Sequence, residues 1–368
     1  GDRKKYGKMI KEKKRLMRKE FKIGKVNFSE KNCILIAEAG VNHNGKISLA
    51  EKLIKSAKEN GADIVKFQTY KADKLVVKHA SRFWNWSGEI KKKGTQYDSY
   101  KRLDKFEKKD YKKLISLCKK YKIEFMSTPF DEDSVEMLYE LGVNGFKVAS
   151  CDLNNFPLLE KICKTKLPIL LSTGASNIDE IIKTVKFIEN KGSNKICIMQ
   201  CTLCYPTKAN DANISAVDQL RKTFSKYLIG LSDHTLGINI ASASVLSGVR
   251  VIEKHFTVNK NLKKSADHWM SINPAELKKL RDNTYEILKA IGCGTKKVLD
   301  CEKNTRLLSR RSLVAKFKIY KGEKITRLNV IPKRPSTGIP PSEIKIILGK
   351  FVKKNINKDQ KIKLSDLS

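Results

Sequence analysis

Short apolar runs alternate along most of the chain with longer stretches in which apolar residues recur at helical spacing. The runs are CILIAEAG (33–40), IVKFQTY (64–70), IEFMSTPF (123–130), GFKVAS (145–150), PILLSTG (168–174), ICIMQCT (196–202), LIGLSDH (228–234) and VIEKHFT (251–257). Near-continuous apolarity over so few residues predicts strands buried on both faces. After the first run, Leu49, Leu53, Ile54 and Ala57 share one helical face and Gly61 supplies a stop. Comparable units recur at 107–121, 132–142, 155–166, 177–191, 215–225, 237–248 and 274–292. Strand and helix in steady alternation predict an α/β fold of parallel strands joined by crossover helices. Eight units fit a closed (β/α)8 TIM barrel better than an open doubly wound sheet, whose usual count is about five or six strands.

The rhythm breaks in two places. Residues 71–106 part the second strand from its helix with an aromatic, charged excursion holding Trp84, Trp86, Tyr97 and Tyr100, read as a lid or a subunit contact. Past residue 303 the pattern becomes short strand-like pieces (SLVAKFKI, KGEKIT) and a Pro-Gly-rich hinge, KRPSTGIPP, which predict a small, mostly β module. The expected organisation is a basic N-terminal extension over 1–32, a TIM-barrel catalytic domain over 33–295 and the small module over 303–368.

Composition narrows this picture. A hydrophobic share of 40% supports a buried core. No stretch approaches the ~20 apolar residues that cross a bilayer, and residues 1–31 lack a secretory apolar core, so a cytoplasmic protein without a membrane partner is expected. The nine cysteines are an odd number without disulfide spacing and predict reduced thiols. The Cys201/Cys204 CxxC pair has neither a second CxxC nor a following helix to make it a zinc or redox site. The net charge of +37 comes from lysines along nearly every helix, which reads as solvated faces rather than a phosphate-tracking groove. The denser stretch 3–25 is expected to be a frayed tail, and nucleic acid is not an expected partner.

In such a barrel the inward residues at the C-terminal strand ends share one pocket. Here they are polar: Glu38, Lys66 with Gln68, Thr128, Lys147 with Ser150, Ser172, Thr202, Ser232 with His234, and Glu253 with His255. Two buried lysines require pairing or a charged ligand. Lys66 and Lys147 among the hydroxyls of Thr128, Ser150, Ser172 and Ser232 form a receptor for a small anion carrying carboxylate and phosphate oxygens. His234 and His255 end adjacent strands and suit a divalent first-row ion such as Mn²⁺, Co²⁺ or Zn²⁺, with water and substrate completing its shell. His43, His79 and His268 read as ordinary polar residues.

The motifs EAGVNHNG (38–45), VKFQT (65–69), STPF (127–130), KVAS (147–150), LSTG (171–174), YPT (205–207), GLSDHT (230–235) and EKHFT (253–257) closely resemble, in order and spacing, the sialic acid synthase family. KRPSTGI (333–339) resembles that family's C-terminal antifreeze-like (SAF, β-clip) module. The resemblance implies condensation of phosphoenolpyruvate with an N-acetylmannosamine-type sugar to give a sialic (nonulosonic) acid and phosphate. The implied ion is Mn²⁺, with Mg²⁺ or Co²⁺ able to serve, held by His234 and His255. It gives Lys66, Thr128 and Lys147 to the carboxylate of phosphoenolpyruvate, and Ser150, Ser172 and Ser232 to its phosphate. Glu38 becomes the acid/base group, and Gln68, Asp152, Tyr205 and Asp267 contact the sugar. Arg334 is implied to reach the sugar's acetamido group in the partner of a domain-swapped homodimer.

Asp152 stands where some members carry Glu, Leu203 where some carry Asn, and SAD (265–267) where many carry Gly-Pro-Asp. The departures at Asp152 and beside Asp267 touch sugar-contacting positions; N-acetylmannosamine is nonetheless the leading acceptor, with a 2,4-diacetamido-trideoxyhexose, giving legionaminic- or pseudaminic-type acids, beside it. A sister barrel acting on a phosphorylated aldose needs cations beyond Lys66, Lys147 and the outward Lys254. A basic, non-catalytic nucleic-acid-binding protein is the alternative from another class.

Overall fold

Two short strands, β1 (Phe21–Ile23) and β2 (Val26–Phe28), precede the eight apolar runs in the computed structural model, which describes residues 19–84 and 93–368. The runs become β3 (Ile34–Gly40), β4 (Ile64–Thr69), β5 (Glu124–Pro129), β6 (Phe146–Val148), β7 (Ile169–Ser172), β8 (Ile196–Cys201), β9 (Leu228–Asp233) and β10 (Val251–His255). They form one parallel sheet in the order β5-β4-β3-β10-β9-β8-β7-β6. β5 lies beside β6, which closes the ring into the expected TIM barrel.

The helices between strands form because their apolar stripes need the sheet's outer face. Ala50, Leu53, Ile54 and Ala57 of helix Ile47–Glu59 are buried, and they join Leu35, Ala37, Val65 and Phe67 in one continuous core. Local signals set the ends. Asn177 with Glu180, and Asn273 with Glu276 ahead of Pro274, build reciprocal caps on helices Ile178–Asn190 and Pro274–Ala290.

The lead-in departs from expectation. The frayed-tail reading of residues 3–25 fails from Phe21 onward, because Phe21, Ile23 and Phe28 are buried and pack on Ile34, Ile36, Ile64, Met126, Leu170, Met199 and Val251. These lie toward the N-terminal ends of the strands, so the β1–β2 hairpin plugs the barrel floor, with Phe21 and Phe28 stacked at 4.8 Å. The hairpin's alternation of apolar and polar residues was hidden by the surrounding lysines. The earlier part of that stretch lies outside the described residues.

The 71–106 excursion contains two short helices, Ala72–Leu75 and Gln96–Lys101, the second opened by a capping box of Thr95 and Asp98. Trp86 lies outside the described residues. Among the described residues no helix is long and apolar enough to cross a membrane, and all nine cysteines are free.

The chain divides after Gly292 into two compact units. In the second, helix Lys303–Ser309 leads into an antiparallel pair, β11 (Ser312–Ala315) and β12 (Val330–Lys333), over a core including Leu313, Ile319, Ile325, Ile347, Ile356 and Ile362. Arg334 is exposed immediately after β12.

Candidate active site

A cavity of about 430 Å³ opens where the barrel strands end. Glu38, Lys66, Gln68, Thr128, Lys147, Ser150, Asp152, Ser172, Tyr205, Ser232, His234, His255 and Asp267 all line it. Alternation along β4, β9 and β10 turns Lys66 with Gln68, Ser232 with His234, and Glu253 with His255 to the inside. Arg334 belongs to the second unit.

The inner end is a buried array of opposite charges. Lys66 Nζ donates to Thr128 Oγ1 at 2.8 Å and lies 2.8 Å from Glu38 Oε2 and 3.7 Å from Glu253 Oε1. Lys147 Nζ donates to Ser172 Oγ at 2.7 Å and lies 3.8 Å from Glu253 Oε2. The second oxygens of Glu38 and Glu253 accept no well-aligned hydrogen bond despite these short charge contacts. Ser232 Oγ donates to Glu253 Oε1, and Gln68 Nε2 to Glu38 Oε1. Glu253, which sequence reasoning placed at the strand end without a role, is thus the counter-ion of both lysines.

Burial and neighbours push the two carboxyls apart. Burial, with the charge of Glu253 added, raises the pKa of Glu38 against the pull of Lys66. Burial also opposes the charge on Glu253, but Lys147 and Lys66 lead the groups that outweigh it and hold Glu253 low. Burial lowers Lys147. Lys66 meets the same penalty, yet Glu253 and Glu38 more than offset it and keep it protonated. One carboxyl ready to carry a proton beside one held ionised is an acid/base arrangement.

Two glycines keep this end open. A Cβ on Gly40, at φ +51°, would meet Glu38 Oε1 at 3.3 Å, and one on Gly174 would meet Ser150 Oγ at 2.8 Å. The Ser150 hydroxyl instead accepts from the Gly174 N–H.

The imidazoles of His234 and His255 stand 5.6 Å apart between ring centres, with the Tyr205 ring 4.1 Å from His234. His234 Nδ1 lies 2.9 Å from the Thr202 carbonyl, which only accepts, so Nδ1 carries the proton and Nε2 keeps its lone pair. Thr202 therefore contributes its carbonyl, while its hydroxyl turns away to Asp211 O. Burial, and secondarily His255, lower His234 to about 4, keeping it neutral as a ligand must be. His255 Nδ1 is 3.4 Å from Asp267 Oδ2 and otherwise lacks a hydrogen-bond partner. Ring nitrogens committed to a carbonyl and a carboxylate are what imidazole metal ligands present on their outer side. Among the described residues no three His, Cys, Asp or Glu side chains gather to enclose an ion.

On the outer face of the same strands, Lys254 Nζ donates to Asp233 Oδ2 at 2.9 Å, both fully buried. Asp152 accepts from Asn155 Nδ2 at 2.9 Å, and burial raises its pKa. The outer cavity wall comes from the 71–106 excursion: Leu75, Val76, Phe83, Trp84, Tyr100 and Leu103, joined by Tyr70, Phe130 and Leu203. Its aromatic richness was visible in the sequence, but which residues face the cavity was not.

Relatives agree with this architecture. A model described as the NeuB family matches residues 53–296, and one described as the SAF domain matches 310–368. The chain is 41% identical over 335 residues to the N,N'-diacetyllegionaminic acid synthase of Campylobacter jejuni, covering 90% of this chain and 99% of the relative. It is 40% identical to the synthase of the same name from Legionella pneumophila, covering 89% and 93%. It also resembles the crystal structure of N-acetylneuraminic acid (sialic acid) synthetase from Leptospira borgpetersenii in complex with citrate, with a TM-score of 0.69 and 34% identity over 78% of this chain and 95% of that one. The resemblance first carried by the strand-end motifs is therefore a membership: this chain belongs to the NeuB family and ends in an SAF domain.

Proposed function

We propose that the protein condenses phosphoenolpyruvate with the open-chain aldehyde of an unphosphorylated acetamido sugar, forming a 2-keto sugar acid and releasing phosphate. The observation that carries this reading is the buried Lys66–Glu253–Lys147 array ringed by the hydroxyls of Thr128, Ser150, Ser172 and Ser232. Phosphoenolpyruvate meets that array with its carboxylate at Lys66, Thr128 and Lys147 and its phosphate at Ser150, Ser172 and Ser232. The enol carbon bonds to the aldehyde carbon, whose oxygen takes up a proton. Water adds at C2 and gives up a proton, and the C–O bond to phosphate breaks. Glu38, raised by burial yet contacted by Lys66, is the group that moves protons in this sequence. Gln68, Asp152, Tyr205 and Asp267 hold the sugar.

His234 and His255 would hold a divalent ion, Mn²⁺ first among candidates. When bound, the ion supplies Lewis-acid polarisation of a carbonyl oxygen. The family resemblance further supports a homodimer in which Arg334 serves the acceptor site of the partner.

The acceptor favoured is a 2,4-diacetamido-trideoxyhexose. Relatives at 40% and 41% identity are named diacetyllegionaminic acid synthases, and the wall of Leu75, Val76, Phe83, Trp84 and Leu103 suits a sugar with a methyl group and a second acetamide. N-acetylmannosamine is the second reading, favoured by Gln68, Gln96 and Asp152 on the same cavity. The test is mass-spectrometric product identification after incubation with phosphoenolpyruvate, Mn²⁺ and a panel of acetamido sugars. A diacetamido product formed with the highest kcat/KM is expected. Turnover of N-acetylmannosamine 6-phosphate alone would overturn the unphosphorylated acceptor.

A further inference from the structure

We propose that the Val41–Gly45 turn after β3 is a clamp that positions Asp267 over the cavity, with Asn42 and Asn44 as positioning residues for the acceptor; the acceptor role rests on the functional reading above. Residues 264–267 line the cavity but belong to an irregular segment beyond β10, with no strand or helix of their own to hold them. Their anchorage comes from the turn. Asn42, with no exposed surface, accepts from Ser265 Oγ at 2.8 Å and donates through Nδ2 to Phe256 O at 2.9 Å and Ser271 Oγ at 3.1 Å. Ser265 Oγ then accepts from the Asp267 N–H, and Ser271 Oγ donates to the Asp267 carbonyl at 2.7 Å. Asp267 is thus gripped at both backbone polar groups by hydroxyls that Asn42 orients.

Asn44 works differently. Its Oδ1 accepts from the Ser265 N–H at 3.2 Å and from His268 Nε2 at 3.0 Å, and its carbonyl accepts from Lys264 Nζ at 3.0 Å. A backbone N–H donor requires that the oxygen, not the amide nitrogen, face Ser265. The two asparagines therefore have different chemical needs: Asn44 uses its side chain only as an acceptor, Asn42 as both donor and acceptor. The Lys66–Glu253–Lys147 array draws no hydrogen bond from either.

This asymmetry makes the clamp testable. Asn44→Ala is expected to raise the acceptor KM about tenfold, the effect of losing roughly one net hydrogen bond, with the KM for phosphoenolpyruvate unchanged. Asn44→Asp keeps the acceptor and is expected to stay near wild type, whereas Asn42→Asp loses both donations and is expected to behave as Asn42→Ala. Trypsin cleavage after Lys264 in the full-length protein gives a readout that needs no turnover: it should accelerate in Asn44→Ala and not in Asn44→Asp. Equal rises in both KM values, an Asn44→Asp variant as impaired as Asn44→Ala, or unchanged cleavage in Asn44→Ala would each overturn the clamp. A wild type inactive on every acetamido sugar would overturn the functional reading instead, leaving the cleavage rates to judge the clamp.

Discussion

Glu38 and Glu253 are chemically alike and reach the same cavity, yet their surroundings give them opposite tasks. Glu253 sits between the ammonium groups of Lys66 and Lys147 and is held ionised, while Glu38 is raised by burial. Glu38→Gln keeps the shape and the hydrogen bond from Gln68 but removes the proton carrier, so turnover should fall by about 10²–10⁴ while phosphoenolpyruvate still binds; isothermal titration beside a phosphate-release assay separates the two. His43 lies in the turn after β3. It stacks on Phe106 at 4.0 Å and accepts from the Gly45 N–H, and burial, helped by Lys264, pushes it down to about 3. The unfolded chain takes up that proton near the ordinary value of ~6.5, so stability is full above this pH and declines as pH falls toward the folded value. One proton gives a slope of about 1.4 kcal/mol per pH unit. Denaturant unfolding at pH 7 and pH 5 should show a smaller acid loss in His43→Asn than in wild type, and an equal loss would remove His43 as the cause.

At the scale of elements, the β1–β2 hairpin and the 71–106 excursion close opposite ends of the barrel. The hairpin buries Ile23 completely against strand residues on the barrel floor. Ile23→Ala should cost about 2–5 kcal/mol, and a chain beginning after residue 25 should melt well below the full protein. Thermal unfolding followed by circular dichroism checks both, and an unchanged midpoint would mean that the floor seals without the hairpin. The hairpin's signal was present as FKI and VNF around Gly24, but a short period-two pattern among lysines does not say what it packs on. The excursion has the same character, since Trp84 and Tyr100 announced an unusual loop and only its path across the cavity showed which faces line it.

At the scale of the whole molecule, several described lysines on helix surfaces stand in solvent-facing pairs, such as Lys108 with Glu140, Lys120 with Glu51 and Lys191 with Glu160. Such pairs contribute little individually and leave the cavity's own charges to decide function. Chelation is expected to abolish turnover and added Mn²⁺ to restore it, while His234→Ala should lose Mn²⁺ binding followed by electron paramagnetic resonance; full activity after chelation would remove the ion from the mechanism. The barrel and the inward polar ring were legible because period-two and period-3.6 burial are local properties, written into each strand and helix separately. Lys66, Lys147, His234 and His255 face one pocket for that reason. The pairing of Glu253 with both lysines, the approach of Asp267 to His255 and the grip of Asn42 and Asn44 on the 264–271 segment join residues far apart in the chain. Those contacts depend on how the closed ring brings separate strand ends and loops to common distances, which no local pattern encodes and only the tertiary structure decides.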